Sequence, residues 1–331
     1  MNQVVSDHPS IPLIDLDAQP RVEQIRQACL SAGCFNVKGG GLNDRVTRDL
    51  LEKMTGFFGL PDNHPIKQAV HRNQNSGANG WSPMLEEPAY EAGTIAWVES
   101  FDCVLSRERL SRLPGELQEK VVPSIWPEIS RFRDTVRIQW DLLISAAHGL
   151  YPLVSCLLKQ HPGFLAEHAS SQALNTLRLL NYPSRPQSDD ERSRGISAHT
   201  DFECITLISQ DAPGLEVQTP SGKWIQVPVE PGQWTVLLGD MVERWSNGVY
   251  KATPHRVPTT SWPRRSIVMF VAADSGCSVE PLDEFVTASN PAKFERMTQD
   301  ELIRMAMARA ESNRLQMAPE IQKLRSAINR D

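Results

Sequence analysis

Three residues in the second half of the chain could bind one metal ion. His199 and Asp201 are separated by a single residue, and His255 follows farther along. On a β-strand, residues i and i+2 point to the same face, so His199 and Asp201 could reach the same ion. Two imidazoles and one carboxylate can occupy one face of Fe(II) and leave positions open for dioxygen, although zinc accepts the same donors. The spacing therefore predicts a site for iron or zinc.

A carboxylate-binding pair follows His255. Arg264 and Ser266 share one face of a predicted strand, while Arg265 points the other way and would replace Arg264 only if the strand slipped by one residue. Their side chains would form a fork of donors for one carboxylate. Because an unpaired guanidinium inside a barrel is costly, it needs an anionic ligand. A dicarboxylate whose other end binds the metal fits this need, which indicates 2-oxoglutarate.

Short strands separated by Pro and Gly should carry these residues. After Gly163 the segments predicted as strands are 177–182, 204–209, 215–219, 224–228, 234–238 and 266–272. Many short strands at such spacing favour a barrel or a double-sheet jelly roll.

Helical periodicity lies outside the strand-rich region. Apolar residues recur at three and four positions in 20–32, 127–158 and 298–314, and Asn43 is a predicted cap of a further helix. The long 127–158 helix should pack on a sheet. Helices beside a β-core, rather than alternating with parallel strands, define an α+β protein.

The overall composition indicates small-molecule chemistry in the cytoplasm. Of 331 residues, 40% are hydrophobic and 22% charged, as in soluble globular proteins. The formal net charge is −6 and no run of Lys or Arg stands out, so we expect no nucleic-acid partner, and the sequence indicates no obligatory protein partner. We find no secretory signal and no stretch of about 18 apolar residues, so we expect no membrane association. The six cysteines lack C-x-x-C spacing and should be reduced.

An ordered series of motifs resembles one enzyme family over nearly the full length. The segments 11–16, 80–83 and 99–102 match the patterns I-P-x-I-D-L, G-[YW]-x-P and E-[ST]-F-D. The segments 210–217, 239–248 and 255–257 match Q-D-x-x-G-L-x-V, G-D-x-x-x-x-W-[ST]-N-G and H-R-V. The chain thus resembles the 2-oxoglutarate and Fe(II)-dependent dioxygenases of the isopenicillin N synthase-like family.

This resemblance implies both a fold and a reaction. The fold would be a distorted double-stranded β-helix, with jelly-roll and cupin-like topology, and N-terminal helices packed on its major sheet. His199, Asp201 and His255 would hold Fe(II). The enzyme would use 2-oxoglutarate and dioxygen to oxidise an unactivated C–H bond of a small molecule, releasing succinate and carbon dioxide. We expect hydroxylation, with desaturation or ring rearrangement as alternatives, in specialised metabolism.

Cosubstrate residues follow from the same resemblance. Arg264 and Ser266 would bind the distal carboxylate of 2-oxoglutarate, and Tyr182, which precedes Pro183, would add a phenol donor. Plant members often read N-Y-Y-P where this chain has one tyrosine. Tyr182 is therefore aligned from the proline side, and Asn181 is assigned no role.

Aromatic residues are candidates for the substrate pocket, although in a jelly roll such residues commonly belong to the core. The four candidates are Trp81, Phe101, Phe202 and Trp245. We expect one catalytic unit, 1–331, with three regions. These are an N-terminal region of helices and edge strands (1–125), a jelly-roll core that binds Fe(II) and 2-oxoglutarate (170–275), and a C-terminal helical segment (276–331).

Two other functions are compatible with the same residues. An Fe(II) oxidase of the same fold would use Arg264 and Ser266 to hold its substrate's carboxylate and would need no 2-oxoglutarate. A binding module would retain the metal for stability without turnover. The intact ligand set and carboxylate fork favour an enzyme over the binding module.

Overall fold

The computed structural model describes residues 11–19, 22–75, 79–104, 124–170, 173, 175–185 and 192–328. Within these ranges the strands, in chain order, are β1 (Leu13–Asp15), β2 (Cys34–Lys38), β3 (Gly80–Ser82), β4 (Ile95–Ala96), β5 (Glu99–Cys103), β6 (Thr176–Tyr182), β7 (Ser193–Arg194), β8 (Ile196–His199), β9 (Ile205–Gln210), β10 (Glu216–Gln218), β11 (Trp224–Gln226), β12 (Trp234–Leu238), β13 (His255–Val257), β14 (Arg264–Val271), β15 (Ser278–Val279) and β16 (Met297–Thr298). The helices are α1 (Val22–Ser31), α2 (Asp44–Phe58), α3 (Pro65–Ala69), α4 (Phe132–Leu157), α5 (Phe164–His168), α6 (Asp240–Trp245), α7 (Gln299–Gln316) and α8 (Ala318–Ile328).

Two sheets face each other and form the core. The larger sheet has eight strands in the order β1-β2-β12-β9-β14-β6-β5-β3, and only the β1–β2 pairing is parallel. The smaller sheet has the antiparallel order β11-β10-β13-β8. Leu180 and Ile208 of the larger sheet share one apolar cluster with Val217 and Val257 of the smaller. This layered arrangement is the expected α+β architecture with a jelly-roll core.

The larger sheet is buried on both faces. In β14, Ile267 and Met269 belong to the cluster beneath the helices, whereas Val268 belongs to the cluster between the sheets. Because neighbouring residues of a strand point to opposite faces, one nearly continuous apolar run supplies two cores. Each fully buried aliphatic side chain of this kind contributes roughly 1.5–3 kcal/mol of hydrophobic stabilisation.

N-terminal helices cover the outer face of the larger sheet, as predicted. Ile25 of α1, Leu50 of α2 and Leu143 of α4 join the same cluster as Ile267. Helix α2 begins after the predicted cap Asn43, whose side-chain oxygen accepts hydrogen bonds from two backbone N–H groups of the first turn. That cap satisfies donors that would otherwise lack intrahelical partners.

All six strands predicted after Gly163 are present, with ends shifted by at most two residues. The 127–158 helix begins later than predicted, at Phe132, because Arg131 has a left-handed backbone conformation (φ 61°) that does not continue a right-handed helix. The predicted C-terminal helix is α7. The additional helix α8 was not predicted.

Helices α7 and α8, here called the roof helices, pack against residues 83–94, here called the Tyr90 loop. The Asn313 side chain donates a hydrogen bond to the Ala89 carbonyl at 3.0 Å, and Arg325 forms an ion pair with Glu86 at 2.9 Å. Apolar contacts beside these bonds involve Leu85, Ile95, Met317 and Ile321. The end of the chain thereby reaches the loop that approaches the metal-binding candidates.

No helix in the described part of the chain is long and apolar enough to cross a membrane. All six cysteines are free thiols, and four of them are buried.

Candidate active site

A cavity lies between the two sheets and against helix α7. It encloses about 870 Å³ of empty space, including its open mouth. The inner faces of β6 and β14 run along its wall, where Arg264 pairs with Tyr182 and Phe270 pairs with Thr176. Because six residues of a strand span about 20 Å, the two pairs mark opposite ends of the cavity wall. We call these the Arg264 end and the Phe270 end.

His199, Asp201 and His255 meet in this cavity. Three atoms that could bind a metal, one from each residue, lie within 4.8 Å of one another. His199 ends β8 and is the direct cross-strand partner of His255, which begins β13. Asp201 Oδ1 lies 3.7 Å from Nε2 of each histidine. These separations suit three ligands around one ion, whose bonds to nitrogen and oxygen would be about 2.0–2.2 Å long.

The sequence predicted that His199 and Asp201 lie on one strand with their side chains together. The side chains do lie together, but only His199 is on the strand. Asp201 lies just after β8 rather than on it. Its carboxylate still reaches the ring of His199, because the chain bends there toward the cavity.

Hydrogen bonds orient each of the three candidate metal ligands and leave one nitrogen or oxygen atom of each available to bind the metal. Nδ1 of each histidine lies 2.9 or 3.1 Å from the backbone carbonyl two residues earlier. A carbonyl only accepts, so each Nδ1 carries the proton and each Nε2 lone pair points into the cluster. The Thr206 hydroxyl donates to Asp201 Oδ2 at 2.5 Å, which leaves Oδ1 available. Such bonds orient metal ligands in proteins.

His199 is kept in its neutral, metal-binding form. Burial, together with the neighbouring His255 ring, lowers its pKa to about 3. The Tyr90 ring stacks on the opposite face, with centroids 4.2 Å apart and an angle of 11° between the planes. Burial has the opposite effect on the Tyr90 phenol, because it raises the pKa of that group far above its usual range.

Arg264 supplies donors that the protein itself does not use. The side chain is 1% exposed, and its Nη2 donates to Gln210 at 2.7 Å and to Ser266 at 2.8 Å. Its Nε and Nη1 are buried without a hydrogen-bond partner in the described part of the chain. Burial lowers the pKa of Arg264, and the nearby Tyr182 and Asp211 offset this lowering only in part. A buried guanidinium with unpaired N–H donors suits a carboxylate ligand.

Two neighbours shape this end of the cavity. Gly214 has φ of +149°, and a Cβ there would lie 2.9 Å from Cδ of Arg264, so the extended arginine requires glycine at this position. The Tyr182 ring lies under the guanidinium at 4.5 Å, and burial raises its pKa to about 12. The phenol therefore stays protonated and can donate. The next strand residue, Arg265, points away from the cavity and pairs with Asp211 at 2.7 Å.

A second arginine is fixed at the Phe270 end. Arg178 donates from Nε and Nη2 to both oxygens of Asp102, at 2.7 and 2.8 Å, and from Nη1 to Glu87 at 2.6 Å. Its guanidinium lies 5.7 Å from the centre of the Phe270 ring. Three short charge-assisted bonds hold this cation rigidly in the wall.

Glu203 lines the cavity with few partners. Its carboxylate accepts a hydrogen bond from the Phe202 N–H at 3.1 Å, and no Lys, Arg or His of the described ranges lies within 4.0 Å of it. Burial, together with the nearby Asp201 carboxylate, raises its pKa to about 8.

Only one of the four predicted substrate residues lines the cavity, which is Phe202. Trp81 and Phe101 are cross-strand partners whose side chains lie in the cluster beneath the helices. Trp81 donates to Glu99 at 2.9 Å, and Trp245 packs against Phe164 at 5.5 Å. The assignment of Trp81, Phe101 and Trp245 to the pocket was therefore wrong, because their positions face the helical layer.

Other cavity residues were missed. Arg178 could have been found by counting back in twos along β6 from Tyr182, since alternate residues share a face. Tyr90, Ile303 and Met307 also line the cavity, but they come from a loop and from α7. No local sequence pattern places those segments against the sheets.

Comparisons with known proteins agree with this geometry. The 2OG-Fe(II) oxygenase superfamily model matches residues 174–273, and a model for the N-terminal region of non-haem dioxygenases in morphine synthesis matches 11–129. The 2-oxoglutarate-dependent dioxygenase citB of Monascus ruber is 31% identical over 278 residues, which cover 80% of this chain and 82% of citB. Homoarginine-6-hydroxylase 2-ODD-233 of Oryza sativa subsp. japonica is 28% identical, with 89% and 96% covered.

A solved structure has the same fold. The crystal structure of JOX2 in complex with 2OG, Fe and JA matches with a TM-score of 0.73 at 25% identity, covering 92% of this chain and 88% of JOX2. The chain belongs to the 2-oxoglutarate and Fe(II)-dependent dioxygenases. It is an oxidoreductase that uses Fe(II), 2-oxoglutarate and dioxygen. The predicted family, fold class and cosubstrates are confirmed.

Proposed function

We propose that this dioxygenase oxidises a C–H bond of a small molecule, with Fe(II) held by His199, Asp201 and His255. The observation that carries this proposal is one shared cavity. It contains three oriented metal ligands and, on its wall, the buried Arg264 donors that lack a partner. Imidazole and carboxylate suit Fe(II), and the empty donors suit a dicarboxylate.

Three residues would hold the distal carboxylate of 2-oxoglutarate. Arg264 would bind it through its guanidinium, which has unpaired N–H donors, and Ser266 would contribute its hydroxyl. Tyr182 would donate its protonated phenol from the neighbouring strand. The fit is supported by the orphaned guanidinium atoms, because a bound carboxylate would accept a hydrogen bond from the guanidinium and supply a negative charge beside it.

The residues would position and shield the reaction. When bound, Fe(II) with 2-oxoglutarate and dioxygen supplies the oxidising chemistry, and succinate and carbon dioxide are released. Thr206 would fix the Asp201 carboxylate and Tyr90 the His199 ring. Phe202 would contact the substrate. We expect hydroxylation, with desaturation or ring rearrangement as alternatives.

The relatives suggest a broad class of substrates. By their names, the rice relative acts on homoarginine and the JOX2 crystals contain JA. We propose a small molecule of specialised metabolism, with no nucleic acid, membrane or obligatory protein partner. Residues 170–275 would form the Fe(II) and 2-oxoglutarate core, between the region 1–125 and the C-terminal segment 276–331. Six free thiols support the expected cytoplasmic location.

The test is a binding experiment followed by turnover. Calorimetry without oxygen should show that the protein binds 2-oxoglutarate only in the presence of Fe(II). Succinate should then form when oxygen is admitted with a screened small-molecule panel. The proposal would be refuted if a substrate were fully turned over without 2-oxoglutarate. It would also be refuted if 2-oxoglutarate bound equally well with and without Fe(II).

A further inference from the structure

Negative charge is in excess at the Phe270 end of the cavity. Arg178 is the one cation that the described residues place there, and Glu87 and Asp102 both bind it. Both oxygens of Asp102 and one of Glu87 are used in this contact. Two carboxylates more than neutralise a single guanidinium, so Arg178 has no net positive charge to offer to a further anion.

Glu203 adds a third carboxylate to this end. It lines the cavity, and its carboxylate accepts a hydrogen bond from the neighbouring Phe202 N–H at 3.1 Å. No basic side chain of the described ranges pairs with it within 4.0 Å. A carboxylate in such a place is costly unless a cation or strong donor meets it.

The metal centre does not supply that cation. The proposed Fe(II), the Asp201 carboxylate, the 2-oxoglutarate dianion and the Arg264 guanidinium together carry no net charge. Arg256, which also lines the cavity, is paired with Glu216 at 2.7 Å. Glu203 therefore lines the cavity with no basic side chain of the described residues beside it, and a cation that enters the cavity would pair with its carboxylate and favour the ionised form.

The surroundings of Glu203 suit the rest of a small organic cation. Phe202, Tyr90 and Phe270 present ring faces or edges to the cavity, and Tyr90 and Phe202 lie 6.3 Å apart. Helix α7 adds Ile303 and Met307. Aromatic rings attract cations through their electron-rich faces, and the apolar side chains can cover hydrocarbon.

We propose that the substrate carries a protonated nitrogen that pairs with Glu203 at the Phe270 end. This inference rests on the proposed function, because it takes the cavity to be the substrate site of a loaded dioxygenase. The substrate class is a primary or secondary amine, an amidine or guanidine, or a basic nitrogen heterocycle. Glu203 selects and positions it, and a free carboxylate on the substrate is disfavoured.

Matched compounds test the proposal on the protein loaded with Fe(II) and 2-oxoglutarate, without oxygen. Benzyl, 2-phenylethyl, 4-phenylbutyl and n-hexyl scaffolds would each be used as the amine, the alcohol and the carboxylate. We expect at least one amine to bind about tenfold or more tightly than its alcohol, since an ionic hydrogen bond is worth that much. Carboxylates should bind no more tightly than alcohols. Isothermal calorimetry gives each affinity.

A variant locates the effect at Glu203. Glu203→Gln keeps the shape and removes the charge, so the preference for the amine over the alcohol should fall about tenfold, to near unity. Glu23→Gln on the exposed face of α1 is the matched control and should leave the preference unchanged. Thermal unfolding of both variants checks that the fold is intact.

Failure of this inference can be told from failure of the proposed function. If no amine binds more tightly than its matched alcohol, whether both bind or neither does, the inference is wrong. An amine preference that survives in Glu203→Gln also overturns it. Either result can occur while Fe(II)-dependent binding of 2-oxoglutarate is normal, and loss of that binding is what would refute the proposed function.

Discussion

The two ends of the cavity are built in different ways. At the Arg264 end, the important side chains lie on adjacent strands, where backbone hydrogen bonds fix Arg264 opposite Tyr182 and Ser266 opposite Gln210. At the Phe270 end, Tyr90 comes from a loop, Glu203 from a bend after β8, and Ile303 and Met307 from α7. Paired strands hold the Arg264 end, whereas a loop, a bend and a helix complete the Phe270 end.

The largest effect should come from removing Asp201, the proposed carboxylate ligand of the metal, which both ends of the cavity depend on. Asp201→Ala should reduce turnover to below about 1% of the wild type, because loss of a metal ligand exceeds the 10- to 100-fold cost of losing a supporting hydrogen bond. Iron retention after dialysis and succinate formation measure this. Retained iron with full activity would show that the cluster is not the metal site.

The next effect should be confined to the Arg264 end. Arg264→Lys replaces a planar fork with a single ammonium, so the KM for 2-oxoglutarate should rise about 30- to 100-fold. Arg265→Lys is the control, since Arg265 pairs with Asp211 and does not line the cavity. Steady-state kinetics compares the two. Equal effects would mean that the wrong arginine has been assigned.

A smaller effect should follow from loosening Asp201 without removing it. Thr206→Val deletes the hydroxyl that donates to Oδ2 and keeps the shape, so iron affinity should fall about tenfold. Thr206→Ser should restore most of it. Titration with Fe(II) in the absence of oxygen gives the affinities. Identical values for the valine and serine variants would exclude a role of the hydroxyl.

The smallest effect should come from a substitution at the Phe270 end that changes the affinity for a panel compound and not the binding of 2-oxoglutarate at the Arg264 end. Met307→Ala removes an apolar contact worth about 1 kcal/mol, so the affinity for the tightest compound of a screened panel should fall about fivefold. The KM for 2-oxoglutarate should not change. Met305→Ala is the control, because Met305 is 62% exposed on the same helix. A shifted KM for 2-oxoglutarate would show that the ends are coupled.

The same contrast explains what sequence could predict. His199, Asp201, Arg264 and Ser266 lie on or beside short strands, where a period of two relates sequence spacing to a shared face. The strand positions and the N-terminal helices also followed from periodicity. Those signals are local. They are informative because alternate residues of each strand face opposite sides of the sheet.

Contacts between distant segments were not predictable in this way. Trp81 and Trp245 looked suitable for a pocket, yet tertiary packing places them in the helical layer. Tyr90 stacks on His199 from a loop that is held by distant segments, among them the roof helices through the bond from Asn313 to Ala89 and β8 through the bond from the Glu91 N–H to Ser197. The sequence separation between Tyr90 and Asn313 does not predict that their segments lie in contact.

The roof helices have a consequence for how this enzyme can change. Their contacts reach the Tyr90 loop through one hydrogen bond, one ion pair and an apolar patch, while none of the three metal ligands lies on them. Substitutions in the roof helices can therefore alter the Phe270 end without replacing a metal ligand, and they would reach His199 only through the stacked Tyr90 ring. We expect that exchanging residues 299–328 with those of a relative changes which small molecules bind while His199, Asp201 and His255 all remain.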